Sequence, residues 1–153
     1  MATLYSDGFT KIRAGRNLNA NEVSGKARIL MWNFASLPAG NIADVLVCGI
    51  IRKNERVIQG REFHSAMGGS ATGAYSTYAI LSDGVSLGAV ITAGKYLAAV
   101  TFVAAGQNEI ANTLAVNALT EESAASVFLC CVNASSAFAT AGQIAGYVLL
   151  AAD

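Results

Sequence analysis

Few side chains in this sequence belong to types that do chemistry, and their spacing does not assemble a site. His64 is the single histidine, and the cysteines are Cys48, Cys130 and Cys131. Zinc sites need Cys or His ligands at short, regular spacings, and none of those spacings is present. We therefore expect no metal site and no cofactor, and we expect His64 to be a surface residue or one whose polar atoms are satisfied.

The cysteines are also unsuited to a disulfide framework. Their number is odd, and Cys130 and Cys131 are adjacent. Neighbouring side chains in a strand point to opposite faces, so these two should not pair with each other. The pattern predicts small buried hydrophobic residues in a protein made in a reducing cytoplasm.

The remaining motif candidates fail on spacing. Glu121-Glu122 would diverge in a strand or turn, whereas a glycosidase needs two carboxylates facing each other across a cleft. Gly88–Lys95 resembles a phosphate loop, but five residues instead of four separate its glycines and a tyrosine follows the lysine. Gly68–Gly73 has neither a nucleophile-elbow nor a dinucleotide-binding pattern. Asn133-Ala-Ser135 matches a glycosylation acceptor, which we take as a chance match. We expect a protein that is not an enzyme.

Charge is scarce and unevenly distributed. Charged residues make up 13% of the chain, and residues 63–153 hold only six of them. A typical globular domain has about 25%. Two interpretations stay open: a compact domain with polar but uncharged faces, or a domain whose weakly charged surface is covered by neighbours in an assembly. The net charge is zero, which argues against a dedicated nucleic-acid binder.

The sequence shows no export signal or membrane span. The start of the chain lacks the apolar core of a signal peptide. The most apolar run, Val127–Ala152, is interrupted by Asn133, Ser135, Ser136 and Gln143 before it reaches spanning length. We expect synthesis in a host cytoplasm and no membrane partner.

Short apolar segments at regular spacing predict the elements that would position these residues. The predicted strands are Ala27–Phe34, Ala43–Ile51, Arg56–Phe63, Gly73–Leu81, Val85–Ile91, Tyr96–Val103, Ser126–Asn133 and Ile144–Ala151. Turns are predicted around Lys53-Asn54, at Asp83-Gly84, at Ala93-Gly94 and over Ala104–Asn108, and Glu109–Ala118 could be helix or strand. A series of short strands with at most one helix candidate predicts an all-β fold, an antiparallel β-sandwich that is jelly-roll-like.

The N-terminal part differs from the rest of the chain. Residues 1–25 are polar and rich in Gly and Asn, with no clear period, and predict an extended arm or a partly ordered terminus. Residues 26–153 then form a single β-sandwich domain. Residues 1–76 carry a net charge of +4 (nine basic and five acidic), which suits docking on an acidic partner or head-to-tail contact between copies.

The part of the chain from Tyr78 onward, about half of it, resembles small virion proteins of tailed phages that are accessory to the major capsid protein. The resemblance is carried by the strand Tyr75–Leu81, the Asp83-Gly84 turn, Gly94-Lys95-Tyr96-Leu97-Ala98-Ala99, Leu119–Ser123 and Ala139–Gln143. It implies a capsid decoration (cement) protein. Such proteins bind the outside of the shell at symmetry-related sites, usually as trimers or dimers, and bridge neighbouring capsid subunits.

For this chain, the resemblance implies the major capsid protein and further copies of the chain as partners, and a location on the capsid surface. The basic residues Lys11, Arg13, Arg16, Lys26 and Arg28 are the candidate partner-binding residues that would orient docking. Alternatives are a neck, tail or head-fibre component, a carbohydrate-binding sandwich that stacks sugars on Trp32 or the tyrosines, and an enzyme.

Overall fold

The computed structural model describes residues 3–5, 27–37, 39, 45–111, 123–133 and 139–152. Its strands are β1 (Thr3–Tyr5), β2 (Ala27–Leu37), β3 (Val45–Ile51), β4 (Glu55–His64), β5 (Thr72–Ile80), β6 (Leu87–Thr101), β7 (Gly106–Ile110), β8 (Val127–Asn133) and β9 (Gly142–Ala152). The described ranges contain strands and no helix, so the all-β prediction is confirmed.

The strands pair as nested antiparallel couples, which gives the fold its topology. β2 pairs with β9, β3 with β8, β4 with β7 and β5 with β6. Further pairing of β9 with β4 and of β8 with β5 joins the couples into two sheets, ordered β2-β9-β4-β7 and β1-β3-β8-β5-β6. In chain order, the first of these eight strands pairs with the last, the second with the second-last, and so on to the middle pair. This nested pairing is the jelly-roll arrangement. The jelly-roll-like antiparallel sandwich is therefore confirmed.

β1 lies within the segment that the sequence predicts as an arm. Thr3–Tyr5 pairs with Val45–Val47 of β3, and this is a parallel pairing in an otherwise antiparallel pair of sheets. The rest of the predicted arm, residues 6–25, lies outside the described residues. The division into an arm of residues 1–25 and a domain of residues 26–153 therefore stays a prediction.

The main core lies between the two sheets and is built by alternation along their strands. Trp32, Leu46, Tyr75, Leu129 and Val148 are among its fully or almost fully buried side chains. A second cluster (Val45, Val47, Phe128 and Cys130) lies on the other face of the five-stranded sheet. β3 and β8 are thus buried on both faces, which explains why their sequences are continuous apolar runs without alternation.

The two adjacent cysteines occupy these two clusters, as the alternation predicts. Cys131 faces the main core and Cys130 faces the second cluster. Cys48, Cys130 and Cys131 are all buried free thiols. Burial raises the pKa of each thiol above its ordinary value, so all three stay protonated at neutral pH and act as small hydrophobic residues.

Two predicted strands, Val85–Ile91 and Tyr96–Val103, are one strand in the structure. The predicted turn at Ala93-Gly94 is wrong, because these residues form an irregularity within β6. Gly94 has φ +61°, and its N–H donates a hydrogen bond to the Ser76 hydroxyl on β5 at 2.9 Å. A glycine in the left-handed region can end a strand or bulge it, and here the cross-strand hydrogen bond holds the bulge within the ladder.

The prediction of a turn over Ala104–Asn108 is wrong in its second half. Gly106–Ile110 forms β7, which pairs with β4 along Gly60–His64. The exposed face of β7 carries Gln107 and Glu109. Because of these polar residues the segment lacks the apolar pattern by which the other strands were predicted. Only Glu109, Ile110 and Ala111 of the ambiguous segment Glu109–Ala118 are described, and the first two are strand.

The other turn predictions are confirmed. Asn54 has φ +66° in the turn between β3 and β4. The interpretation of these two strands as a β-hairpin is wrong, because β3 and β4 belong to different sheets and the turn carries the chain from one sheet to the other. At the β5–β6 connection, Gly84 has φ +74°, and one oxygen of the Asp83 carboxylate accepts the N–H groups of Val85 and Ser86. These turn residues fix both connections by local geometry, and the one at Asp83-Gly84 closes the β5–β6 hairpin.

Candidate assembly surfaces

The outer face of the four-stranded sheet carries an apolar patch. Its members are large hydrophobic side chains with substantial exposure: Ile29 (41%), Met31 (61%), Phe63 (43%) and Tyr147 (36%). Strand pairing places Met31 beside Tyr147 and Ile29 beside Leu149. Phe63 lies beside Ala145 on the other side of β9. We call these four residues the outer-face patch.

The same face becomes charged toward β7. In the strand register Arg61 lies between Tyr147 of β9 and Glu109 of β7. The face is therefore apolar over β2, β9 and the Phe63 end of β4, and it becomes polar from Arg61 of β4 to β7. Such an asymmetric face, apolar with a charged border, resembles the core and rim of a protein interface.

A second exposed apolar group lies at the end of the five-stranded sheet where β5 turns into β6. Leu81, Val90 and Ile91 are 49%, 50% and 56% exposed. A groove beside it, about 230 Å³ in volume, is lined by Ile91, Tyr96, Lys95 and the 123–125 segment among others. Six of the eight exposed large hydrophobic residues of the described chain lie in residues 63–153. The charge-poor part of the sequence thus exposes apolar area as well as burying it.

Of the five predicted partner-binding residues, only Arg28 is among the described residues. Lys11, Arg13, Arg16 and Lys26 lie outside the described residues, so their role stays a prediction. Arg28 is described, and its guanidinium is turned into the protein. Its Nε lies 2.6 Å from Glu55 Oε1 and its Nη2 lies 2.7 Å from Glu55 Oε2, a two-pronged ion pair. Nη2 also donates to the Ile50 carbonyl oxygen at 2.5 Å.

Through these contacts Arg28 of β2 joins the end of β3 to the start of β4, and so links the two sheets. The Arg28 and Glu55 side chains are only 9% and 7% exposed. Glu55 also accepts the Arg52 backbone N–H at 2.7 Å. Burial by itself would raise the pKa of Glu55, but the hydrogen bonds from Arg28 and Arg52 and their charges lower the pKa below the ordinary value. Arg28 therefore has a structural partner inside the chain.

His64 belongs to a buried polar cluster on β4 and β7. Its Nδ1 lies 2.9 Å from Glu62 Oε1, which also accepts a hydrogen bond from Asn108 Nδ2 at 2.5 Å. The His64 ring packs on Phe102 with ring centroids 4.6 Å apart. The expectation that His64 has satisfied polar atoms is confirmed at Nδ1, and the residue is interior, not on the surface.

The buried aromatic residues do not form a sugar platform. Trp32, Tyr75 and Tyr96 are at most 5% exposed, and the Trp32 and Tyr75 rings pack together with centroids 5.6 Å apart. Sugar stacking needs an exposed ring face, so Trp32 cannot supply it in this fold. Asn133 is also buried, which rules out the glycosylation match at that residue.

Two further features are absent from the described part of the chain. No three His, Cys, Asp or Glu side chains there come together in a way that could hold a metal ion. None of its elements is a helix with the length and apolarity needed to cross a membrane.

Comparison with solved structures shows where this fold recurs. A chain in the structure titled "Capsid of Ralstonia phage GP4" superposes with a TM-score of 0.72 at 16% identity, over 99% of both chains. The fold is one that a phage capsid also uses. The structure of the Gx strain of infectious bursal disease virus contains a chain that matches with a TM-score of 0.50 at 12% identity, over 83% of this chain and 32% of that one. No protein-family model and no curated protein sequence matches.

The outer-face patch is foreshadowed in the sequence by large apolar residues on both faces of β2, a pattern from which the prediction of the strand itself drew no conclusion about exposure. Ile29 and Met31 alternate with Leu30, Trp32 and Phe34, so both faces of β2 carry large apolar side chains. A strand at the edge of a sandwich has one face in the core, and the other must be exposed or covered by a partner. Without the sheet order, β2 could not be distinguished from a central strand with two buried faces.

Proposed function

We propose that this chain is a structural virion protein that binds the outer surface of a phage capsid and stabilises the shell, as a decoration or cement protein does. The likeness to a chain of the Ralstonia phage GP4 capsid, over 99% of both chains, carries the proposal. Because both chains are covered almost completely, the two proteins have nearly the same length and consist of the same jelly roll.

The exposed apolar area supports the same function. A protein that bridges neighbouring subunits needs contact area on more than one side. The outer-face patch lies on the four-stranded sheet, and the exposed group of Leu81, Val90 and Ile91 lies on the five-stranded sheet. Two separated apolar surfaces on a rigid sandwich suit a bridging role better than a single binding cleft would.

The test is binding of the purified full chain to capsids of the encoding phage from which the protein is missing. We expect the chain to sediment with these capsids, to saturate at a fixed ratio to the major capsid protein, and to raise the temperature at which the shells break. Bovine serum albumin at the same concentration is the control for trapping in the pellet. A chain that stays in the supernatant at all concentrations would contradict the proposal.

Electron microscopy of the virion separates this function from the alternative within the particle. Density for the chain on the outside of the shell, repeated with the shell's symmetry, is the expected result. Density confined to the neck, the tail or head fibres would assign the chain to another virion component. We also propose that the chain is not an enzyme, because stabilising a capsid shell requires only binding.

A further inference from the structure

A row of paired residues crosses the core side of the four-stranded sheet. Trp32 of β2 pairs with Gly146 of β9, Gly146 pairs with Glu62 of β4, and Glu62 pairs with Asn108 of β7. Trp32 and Glu62 are 3% and 0% exposed, and residues paired across strands share one face of the sheet. A Cβ at Gly146 would lie 2.7 Å from Trp32 Cε2, the ring carbon bonded to Nε1. The edge of the indole that carries Nε1 therefore lies over β9, between the backbones of β2 and β4.

Tyr75 of the opposite sheet packs against this row. It is fully buried, and its ring lies on the Trp32 ring with centroids 5.6 Å apart. Burial raises the pKa of Tyr75, and the neighbouring thiols of Cys131 and Cys48 raise it further. The charge of Glu62 also raises this pKa, whereas the Trp32 indole lowers it as a hydrogen-bond donor does. Both groups of the four-stranded sheet thus act on the Tyr75 hydroxyl across the core.

One polar atom of each of these three residues has no hydrogen-bond partner within the described part of the chain. The atoms are Trp32 Nε1, Tyr75 Oη and Glu62 Oε2, and each has almost no accessible surface. The other carboxylate oxygen of Glu62 differs, because His64 Nδ1 and Asn108 Nδ2 engage it. Leaving a buried polar atom unpaired is costly, so native proteins pair such atoms with protein groups or with ordered water.

We propose that a water molecule is bound between the two sheets and is shared by Trp32 Nε1, Tyr75 Oη and Glu62 Oε2. Water suits this set of partners because it both donates and accepts. The indole N–H can only donate, an ionised carboxylate can only accept, and the Tyr75 hydroxyl can do either. Buried waters typically make about three hydrogen bonds to polar groups that are otherwise unpaired. This site supplies three such groups from two sheets.

Direct pairing of the three side chains is the alternative, with Trp32 donating to Tyr75 and Tyr75 donating to Glu62. Neither of these contacts has hydrogen-bond geometry in the described core. Trp32 and Glu62 are held two strands apart by their common neighbour β9, and Tyr75 belongs to the other sheet. A bridging water joins polar groups that are too far apart to pair directly. It links the two sheets within a core that is otherwise packed by apolar side chains, and it does so whether or not the chain binds a capsid.

Magnetic relaxation dispersion of ¹⁷O in solutions of the full chain tests the proposal. The method detects water molecules that stay bound for longer than the protein takes to tumble, and exchanging hydroxyl protons do not contribute to it. Tyr75→Phe, which removes the hydroxyl and keeps the ring, should lower the amplitude by the contribution of one water, because a water with fewer partners leaves faster. Tyr78→Phe is the matched control. It makes the same change on the same strand, but Tyr78 packs against the second cluster on the other face, so the amplitude should not change.

Two measurements on the wild-type chain need no substitution. Trp32 is the single tryptophan, so its indole N–H gives one NMR signal, which should show cross-relaxation with water. A high-resolution crystal structure should show an ordered water within about 2.7 to 3.2 Å of all three polar atoms. Protein groups that pair directly with these atoms in that structure would overturn the proposal. So would an equal ¹⁷O amplitude in Tyr75→Phe and the wild type, or an equal loss in Tyr75→Phe and Tyr78→Phe.

Discussion

Two carboxylates on β4, Glu55 and Glu62, lie in contrasting surroundings. Glu55 is held by the Arg28 guanidinium, which with the Arg52 contact lowers its pKa despite the opposing effect of burial. Glu62 is fully buried, and burial raises its pKa although Asn108 and His64 partly compensate. One oxygen of Glu62, Oε2, has no hydrogen-bond partner among the described residues. Ionised Glu55 therefore stabilises one end of β4, whereas ionised Glu62 lowers the stability of the fold at the other end.

The pKa of Glu62 predicts a pH dependence of stability. Because this pKa is raised on folding, the folded chain binds the Glu62 proton more tightly than the unfolded chain does. Stability from this group is present below the ordinary glutamate value of 4.5 and is lost as pH rises through the folded pKa. Each unit of elevation corresponds to about 1.4 kcal/mol.

Glu62→Gln, which keeps the shape and cannot ionise, should remove this dependence. In urea denaturation from pH about 4.5 to about 7.5, the wild type should lose stability relative to Glu62→Gln as pH rises. Glu109→Gln, which removes a charge from the exposed face of β7, is the control and should follow the wild type. A difference between wild type and Glu62→Gln that grows in the opposite direction would contradict the assignment.

The Arg28–Glu55 ion pair predicts a large effect of a single truncation. Arg28→Ala should lower the free energy of unfolding by about 2 to 4 kcal/mol, because it leaves a nearly buried carboxylate without its partner. Arg61→Ala, on the exposed face opposite Glu109, should cost less than about 1 kcal/mol. Denaturant unfolding at neutral pH measures both.

The effect of Arg28→Ala should also depend on pH. The lowered pKa of Glu55 means that the pair stabilises the fold above the ordinary glutamate value of 4.5, and that this stability is lost as pH falls through the lower folded pKa. The cost of Arg28→Ala should therefore shrink in acid. Equal costs for Arg28→Ala and Arg61→Ala would show that the ion pair contributes little.

At the scale of elements, β6 differs most from the sequence prediction, which gave two strands and a turn where the structure has one strand. It bulges repeatedly against β5, and the largest irregularity lies between the pairs Thr77–Thr92 and Tyr75–Leu97. Gly94 makes this irregularity possible through its left-handed backbone and its hydrogen bond to Ser76. The bulges turn a fifteen-residue edge strand into a poor template for pairing. Although β2 and β6 are both long edge strands of the described sheets, the bulges make β6 less suited to pair with a further strand.

Glycine substitutions on β5 and β6 should separate two physical causes of destabilisation. A Cβ at Gly94 meets only ordinary contacts, so Gly94→Ala should cost about 1 to 2 kcal/mol from backbone strain alone. A Cβ at Gly73 would lie 2.2 Å from the buried ring of Phe102, so Gly73→Ala should cost about 3 kcal/mol from overpacking.

Pairing Gly73→Ala with Phe102→Leu provides the control. The smaller side chain should recover part of the loss at Gly73, and it should recover none of the loss of Gly94→Ala. Thermal and urea unfolding of the four variants measure this. Absence of recovery would mean that Phe102 is not the obstacle at Gly73.

At the scale of the whole molecule, positive charge is concentrated toward the N-terminus. Nine of the ten basic residues lie in residues 1–76. Arg28 is neutralised inside the fold by Glu55, so it contributes little to the external field. Lys11, Arg13, Arg16 and Lys26 are the candidate docking charges that are left, and the first three belong to the predicted arm. Long-range attraction of this kind mainly raises association rates.

Reversing these three charges should slow capsid binding. The triple variant Lys11→Glu, Arg13→Glu and Arg16→Glu should associate about tenfold more slowly with undecorated capsids at low salt, and added salt should reduce the difference. The matched control reverses Lys53, Arg61 and Lys95, which makes the same change in net charge on the sandwich. Stopped-flow light scattering measures both rates. Equal slowing by the two triples would indicate a non-specific charge effect.

The sequence by itself determined the fold class and most strands. Continuous β-branched runs specified β3 and β8, and alternation specified the opposite facing of Cys130 and Cys131. Local turn chemistry specified the turns at Asn54 and Asp83-Gly84, although only the second closes a hairpin. These features depend on neighbours along the chain, so they can be read from short segments. The series of short, regularly spaced strands predicted the jelly-roll-like sandwich that the structure confirms.

Only the tertiary structure decided which strands lie at edges and which polar groups meet. Arg28 and Glu55 are far apart in sequence, and no local pattern distinguishes an arginine that docks a partner from one that closes an internal ion pair. Gly94 satisfied the pattern of a turn, and the Ser76 hydroxyl on a neighbouring strand made it a bulge. The exposure of Ile29 and Met31 follows from the place of β2 in the sheet order. That order is set by long-range pairing, which the sequence of a single strand does not encode.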